Sequence, residues 1–187
     1  MRLGSAISAG IVATILAVFI VLLAVSDTEQ TGSASFGIVG DVAPQIAGPT
    51  IDGGSYDLWE QRGDWVVVNF FASWCIGCLI EHPELVEFDR RHQDDNVQLV
   101  SVMFSDTEER ARQFFEEQGG GWPALVNDMG SVAIAYSVTA PPETILIGPS
   151  GRVLFKWLGE VTADDVDNMI ATLSNPVDEA AETQGAN

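Results

Sequence analysis

Apolar and polar positions along the chain predict an α/β succession of elements. Residues 66–71 (Val-Val-Val-Asn-Phe-Phe) are almost wholly apolar and predict a buried strand, and residues 97–104 predict a second one. Helical spacing from Cys75 to about Arg91 predicts a helix between them. Further helices are predicted over 105–118, 129–136 and 162–173, and further strands over 144–147 and 153–158. The order is strand, helix, strand, helix, hairpin, helix, which indicates one α/β domain.

Turn and cap residues refine this order. Turn chemistry over 39–55 predicts a short hairpin ahead of the main sheet, and Gly148-Pro149-Ser150-Gly151 predicts a hairpin between the last two strands. Ser105 and Glu108 have the spacing of a capping box, and Thr162 is the expected cap of the last helix. Pro83 lies inside the first helix, where a kink is expected.

The N-terminal segment predicts a membrane anchor. Residues 3–25 carry no charge and are long enough as a helix to cross a hydrocarbon core of about 30 Å. Arg2 precedes this run and Asp27 follows it, which predicts a cytoplasmic N-terminus and an extracytoplasmic domain. A cleaved signal peptide is the alternative, because Ala24-Val25-Ser26 has small residues at suitable spacing. We expect an anchor over 1–25, a flexible tether over 26–36, one domain over 37–174 and a disordered tail over 175–187.

The charge balance excludes some partners. Asp and Glu number 27 against 8 Lys and Arg, so the formal net charge is −19. Nucleic acids and anionic lipid headgroups would be repelled by such a surface. A solvated acidic surface is the plain interpretation, and steering of basic partner segments is the alternative.

Cys75 and Cys78 are the only cysteines and follow the first strand directly, at the predicted start of a helix. Unpaired backbone N–H groups and the helix dipole stabilise a thiolate at that position, and the thiolate is the attacking species in disulfide exchange. A zinc site is disfavoured because four ligands are usual and only His82 and His92 are available. A structural disulfide would constrain the unfolded chain little over so short a loop. The pair therefore favours redox chemistry.

At residue level the chain resembles the membrane-anchored thioredoxin-like branch that includes the TlpA, ResA and DsbE (CcmG) proteins. The resemblance spans about residues 39–173 and rests on Gly40-Asp41-Val42-Ala43-Pro44, Val68-Asn69-Phe70-Phe71-Ala72-Ser73-Trp74-Cys75, Glu81-His82-Pro83 and Pro142-Glu143-Thr144. It implies a thioredoxin-like α/β fold with a central mixed sheet flanked by helices, an N-terminal hairpin extension and an N-terminal transmembrane helix. It also implies that neither a metal nor another cofactor is required.

The resemblance implies roles for the two cysteines. Cys75 would be the exposed nucleophile, and Cys78, one turn deeper, would resolve the mixed disulfide. The chain departs from the family pattern at Gly77, where proline is frequent, so a redox potential does not transfer from relatives. It departs again at Pro141, which adds a proline ahead of the family's cis-proline position.

The resemblance also implies roles for residues around the cysteines. Trp74 would form a platform at the disulfide, Pro142 would be the cis-proline facing the cysteines, and Glu143 would lie at the substrate-binding loop. Glu81 matches an acidic active-site residue, with a solvated helix carboxylate as the alternative. Asn69 stands where thioredoxin has a buried aspartate, so Glu81 or Glu143 would supply the acid-base group. His82 is expected to pack rather than to carry protons.

The implied activity is that of an extracytoplasmic protein-disulfide reductase in a bacterial cell membrane. Its substrates would be secreted or membrane proteins such as apocytochrome c, and its electron donor a membrane protein of the CcdA/DsbD kind. The absence of histidine between the cysteines removes one feature of strong oxidants. A general oxidase or isomerase is the alternative. A Sco-like copper protein is disfavoured by the cysteine spacing, and a thiol peroxidase by Ala72-Ser73-Trp74, which lacks the activating threonine.

Overall fold

The computed structural model of the protein describes residues 37–126 and 130–175. The predicted anchor and tether, and all but the first residue of the predicted tail, lie outside these ranges. Among the helices of the described ranges, none combines the length and apolar character that a membrane span requires.

The chain forms two sheets. Strands β1 (Ala47–Pro49) and β2 (Ser55–Asp57) pair antiparallel, and a 3₁₀ turn over Leu58–Gln61 follows them. The main sheet contains β3 (Trp65–Phe71), β4 (Val97–Met103), β5 (Ala124–Leu125), β6 (Glu143–Ile147) and β7 (Val153–Leu158). Its strand order is β5-β4-β3-β6-β7. Strands β5, β4 and β3 run parallel to one another, and β6 runs antiparallel to its neighbours β3 and β7. The sheet is therefore mixed, as expected.

Four α-helices complete the described domain. They are α1 (Ile76–Arg91), α2 (Glu108–Gln118), α3 (Ser131–Ala135) and α4 (Ala163–Ser174). The expected order of elements is thus confirmed, except that the short edge strand β5 was not predicted. The hairpin predicted ahead of the sheet is the β1–β2 pair. Pro83 lies inside α1, which continues past it to Arg91.

Strand β3 lies at the centre of the sheet and carries side chains into both layers of the core. Val66, Val68 and Phe70 pack into the cluster with Tyr136 of the α3 side. Val67 points the other way, into a cluster with residues of α1 and α4. Because side chains alternate along a strand, Asn69 falls on the α1 face, where it is buried. A buried polar side chain needs hydrogen-bond partners, and the Asn69 amide donates to Glu81 of α1 and to Thr144 of β6.

The start of α2 corrects one sequence prediction. The N-cap is Thr107, whose side chain accepts a hydrogen bond from the Arg110 N–H, and the predicted capping box at Ser105 is wrong. Ser105 has a positive φ of 46°, and its carbonyl accepts the indole N–H of Trp74. The predicted cap at Thr162 is confirmed, with a reciprocal capping box to Asp165.

Candidate active site

The cysteine pair stands at the junction of β3 and α1. Cys75 is the N-cap of α1, and its Sγ accepts a hydrogen bond from the Cys78 N–H at 3.0 Å. This donor is one of the helix N–H groups that lack an intrahelical partner, so it stabilises negative charge on Cys75 sulfur. The two residues form a disulfide with Cα atoms 5.2 Å apart.

Both cysteines are buried, whereas the family resemblance implied an exposed Cys75. Cys75 is 6% exposed and Cys78 is 2% exposed, so each is buried when the disulfide is closed. Cys75 is nevertheless the nearer of the two to solvent. The order of attack inferred from sequence is consistent with this difference, although the expectation of a well-exposed Cys75 is corrected.

Trp74 lies at the surface next to the disulfide, where 53% of the residue is exposed. Its indole Nε1 donates to the Ser105 carbonyl at 3.1 Å, and the neighbouring Ser73 N–H donates to Asp106 Oδ2 at 2.6 Å. These two bonds tie the segment before Cys75 to the loop after β4. Trp74 therefore presents a fixed apolar face beside the cysteines.

The Pro142 loop lies against the other side of the cysteine pair. The Pro141–Pro142 peptide bond is cis, as expected from sequence. A Cβ atom added to Gly77 would lie 3.0 Å from Pro142 Cδ, which places the proline directly against the segment between the cysteines. The Pro142 carbonyl accepts the Gly159 N–H at 3.0 Å, so the loop is joined to the end of β7.

Glu143 is buried behind this loop and faces Lys156. Its Oε2 lies 2.6 Å from Lys156 Nζ, and its Oε1 accepts the N–H groups of Thr139 and Ala140 and the Thr139 hydroxyl. Burial raises the pKa of Glu143, but Lys156 and these loop donors outweigh it and hold the pKa below its ordinary value. Glu143 thus supports the loop from inside the protein, and a contact with substrate stays a prediction.

Glu81 is buried under the sheet and is 1% exposed, so it is not a solvated helix carboxylate. Its Oε1 accepts the Asn69 side-chain amide at 2.8 Å, and its Oε2 accepts the Val161 N–H at 3.2 Å. Burial, with a smaller contribution from the charge of Glu160, raises the pKa of Glu81 to about 7, although the two hydrogen bonds act to lower it. Glu81 follows Cys78 by three residues on α1, which places both on one helix face. A carboxyl group with this pKa can exchange a proton near neutral pH, so a part for Glu81 in the exchange stays a prediction.

His82 packs rather than titrates. Its Nε2 lies 2.7 Å from the Gly119 carbonyl, and its ring packs edge-to-face on Phe114 and tilted against Trp122, with ring centres 4.8 and 5.2 Å apart. Burial lowers the pKa of His82, so the imidazole is neutral at pH 7. This arrangement accords with the packing role expected from sequence.

Two residues that the sequence analysis did not select belong to the site. Lys156, the only lysine, neutralises Glu143 from β7. Glu160 places its carboxylate beside Gly77. For Lys156 the signal was its position within an apolar strand, which pointed to a buried partner. For Glu160 the signal was indirect, because only the glycine between the cysteines indicated that another group approaches closely at that position.

The redox-active disulfide lies at the start of a helix that follows a central strand. A cis-proline loop faces it, and a buried carboxylate lies on the same helix. This arrangement defines a thioredoxin-fold thiol–disulfide oxidoreductase. Comparison with known proteins agrees. Residues 39–156 match the model of the AhpC/TSA family. The chain belongs to this family, and among its members it is of the DsbE and ResA type.

Three relatives show how far the similarity extends. The chain is 37% identical over 135 residues to the thiol:disulfide interchange protein DsbE homolog of Paracoccus denitrificans, covering 70% of this chain and 72% of that one. It is 28% identical over 146 residues to the thiol-disulfide oxidoreductase ResA of Geobacillus thermodenitrificans, covering 78% and 82%. The solved thioredoxin domain of a thiol-disulfide oxidoreductase from Bacteroides vulgatus superposes with a TM-score of 0.63 at 28% identity, covering 72% and 96%.

Proposed function

We propose that the protein reduces disulfides of secreted or membrane proteins on the extracytoplasmic side of a bacterial membrane. The observation that carries this proposal is the site itself. A cysteine pair at a helix start lies against the Pro142 loop, and the buried carboxylate of Glu81, with a pKa of about 7, lies on the helix face of Cys78.

The reaction is a two-step exchange that begins with the reduced protein. Cys75 thiolate attacks one sulfur of the partner's disulfide, which forms a Cys75–partner bond and releases the partner's other sulfur as a thiolate. Cys78 then loses its proton, for which ionised Glu81 is the acceptor, and attacks Cys75 sulfur. The Cys75–Cys78 bond forms and the partner's first sulfur leaves. Two electrons pass to the partner, whose two thiolates take up one proton from Glu81 and one from solvent, and the protein is left with the disulfide seen in the structure.

Two carboxylates beside the cysteine pair support the reducing direction and oppose the Cys78 N–H, which stabilises a thiolate on Cys75. Glu160 and, when ionised, Glu81 are carboxylates near the pair, and negative charge destabilises a thiolate. Strong oxidants owe their potential to a stabilised reduced form, so its destabilisation makes the dithiol a better electron donor. The lack of a histidine between the cysteines acts in the same direction.

The proposal includes location and partners. Residues 3–25 would anchor the protein in the membrane with its domain outside the cytoplasm. A dithiol membrane protein of the CcdA/DsbD kind would return the disulfide to the dithiol state. The cysteines of apocytochrome c, oxidised to a disulfide, are the substrate that the family resemblance favours.

Equilibration with a peptide tests the direction of exchange. Full-length protein in detergent would be mixed with a peptide whose two cysteines are separated by two residues, and both disulfide contents measured after acid quenching. We expect reduced protein to reduce the peptide disulfide, and oxidised protein to leave the peptide dithiol largely intact. Complete oxidation of the peptide by the protein would instead establish the alternative, a general disulfide oxidase. Cys75→Ser provides the inactive control.

Two further assays separate the remaining alternatives that share this fold. Consumption of hydrogen peroxide by the reduced protein at a rate rivalling peptide reduction would indicate a thiol peroxidase. Tight binding of copper by the reduced protein would indicate a metal-delivery role. We expect neither activity. The sequence lacks the threonine before Cys75 that is associated with thiol peroxidases, and it lacks the wider cysteine spacing that is associated with copper delivery.

A further inference from the structure

Glu160 occupies a fixed position next to the exchange site. It belongs to the short connection between β7 and α4, where the N–H of Gly159 donates to the Pro142 carbonyl and the N–H of Val161 donates to Glu81. The backbone on both sides of Glu160 is therefore bound to groups of the site. Its side chain is exposed to solvent between these two attachments.

Gly77 leaves the room that the Glu160 carboxylate uses. A Cβ atom added to Gly77 would lie 2.6 Å from Glu160 Oε1, closer than nonbonded atoms approach. The backbone at Gly77 does not have a positive φ, so its conformation alone does not require glycine. The requirement comes from space, and any side chain at position 77 would displace the carboxylate.

The Glu160 carboxylate is available to a partner. Within residues 37–126 and 130–175, no lysine or arginine side chain forms an ion pair with it, although acidic groups on α2, α4 and β6 have such partners. The start of α1 next to Gly77 exposes an apolar surface formed by Trp74, Ile76, Leu79 and Ile80. An apolar contact surface with a charged rim is the usual composition of a protein interface.

The Pro142 loop offers a docking partner few backbone bonds. Pro141 and Pro142 have no N–H group, so an extended partner segment crossing them meets carbonyl oxygens only. The Pro142 carbonyl is already bonded to Gly159. Recognition at this edge of the site must then depend largely on side chains, and the exposed Glu160 side chain places its carboxylate beside Gly77 there.

We propose that Glu160 is a specificity-determining residue whose carboxylate binds a lysine or arginine side chain flanking the reacting cysteine of the partner. Gly77 admits the carboxylate to this position, so the two residues act as one unit. The proposal rests on thiol–disulfide exchange at Cys75 and Cys78 and holds for either direction of exchange.

A pair of peptide disulfides tests it. The peptides are identical except for lysine or glutamine beside the cysteine, and their rates of reduction by pre-reduced full-length protein in detergent are compared. We expect the lysine peptide to react about threefold faster, the effect of one exposed ion pair. The preference should disappear in Glu160→Gln and fall in high salt, where exposed charges are screened. The preference for the lysine peptide should also disappear in Gly77→Ala. The double variant Gly77→Ala with Glu160→Gln should show the same lack of preference as either single variant.

Asp94→Asn is the matched control, because it removes one exposed carboxylate at the opposite end of α1. It should keep the threefold preference. A wild-type protein that reduces both peptides equally would overturn the role of Glu160, and so would Glu160→Gln retaining the preference. If neither peptide is reduced, the failure lies with the proposed exchange activity, because the glutamine peptide does not depend on Glu160.

Discussion

The two sulfurs of the site differ in accessibility and in their hydrogen bonds. Cys75 is the more exposed, and its Sγ accepts the N–H of Cys78 at the helix start. Cys78 lies one turn in, on the face of α1 that carries the buried Glu81. This asymmetry supports the prediction that Cys75 makes the first attack and Cys78 the second.

Trapping of the mixed disulfide checks this assignment. In Cys78→Ser the resolving sulfur is missing, so the covalent complex with a substrate protein should accumulate and be visible on a non-reducing gel. Cys75→Ser should form almost none, because its remaining sulfur is covered. Equal trapping by the two variants would contradict the assigned order of attack.

Glu81 is the residue whose protonation should govern the pH dependence of exchange. With a pKa raised to about 7, it is protonated below neutral pH and ionised above it, and only the ionised form accepts the proton of Cys78. The rate of peptide reduction should therefore rise through about pH 7 in the wild-type protein. In Glu81→Gln this rise should be lost, leaving the rise due to the thiols alone.

Circular dichroism spectra at each pH provide the control for Glu81→Gln, because the amide keeps the shape of the side chain. Single-turnover kinetics separate attack from resolution, and the change is expected in the second step. An unchanged pH profile would mean that Glu81 contributes to folding and not to proton transfer.

At the scale of elements, β6 and β7 hold the Pro142 loop through one buried ion pair. Lys156 on β7 bonds to Glu143 on β6 and donates to the carbonyls of Tyr136 and Ser137, which lead into the loop. Removing the lysine leaves a carboxylate buried without its counter-charge. Removing one partner of a buried ion pair strongly destabilises the folded protein, whereas removing both charges together destabilises it much less.

Lys156→Met should therefore lower the free energy of unfolding by about 3–5 kcal/mol at pH 7, measured by urea denaturation. The pKa of Glu143 is lowered in the folded wild type, so its contribution to stability is present above its ordinary pKa and is lost as the pH falls. The deficit of the variant should accordingly shrink near pH 4. Glu143→Gln combined with Lys156→Met should recover part of the loss, and a double variant no better than the single one would contradict the ion-pair account.

Helices α1 and α4 are joined at the end away from the cysteines. His92, at the C-cap of α1, places Nδ1 2.7 Å from Asp95 and Nε2 2.7 Å from Asp167 of α4. Burial lowers the pKa of His92, but the bonds to Asp167 and Asp95 outweigh it and raise the pKa above its ordinary value of 6.5. Only the charged imidazole donates to both carboxylates.

The stabilising effect of His92 should be pH-dependent. Because its pKa is higher in the folded protein, the contribution is fully present below pH 6.5 and is lost as the pH rises through the folded pKa. His92→Gln should lower the free energy of unfolding by about 1 kcal/mol at pH 5.5 and by almost nothing at pH 9, as measured by urea denaturation. An equal loss at both pH values would show that packing, not charge, is responsible.

For the whole molecule, we expect residues 3–25 to determine where the chemistry takes place. Their length and lack of charge favour an anchor that is retained in the membrane. Full-length protein expressed in bacteria should remain in the membrane pellet after alkaline carbonate washing and be released by detergent. An intact mass corresponding to an N-terminus near Asp27 would instead indicate cleavage of a signal peptide.

Much of the domain could be predicted from local patterns. The apolar run of β3, the spacing of α1 and the Thr162 cap were predicted to within a few residues, since each depends on neighbours in the chain. The capping box at Ser105 was wrong because a distant contact competes there. Trp74 takes the Ser105 carbonyl, and Thr107 caps the helix two residues later.

The sequence by itself determined the cysteine pair, its place at the end of a central strand and the proline loop that faces it. Only the tertiary structure decided the environment of these groups. Glu81 meets Asn69 and Val161 across 12 and 80 positions of the chain, and its burial is what raises its pKa to about 7. The approach of Glu160 to Gly77 likewise joins the start of α1 to the connection between β7 and α4, which is distant in sequence. Burial and charge proximity depend on which elements pack together, and this packing is absent from any local pattern of residues.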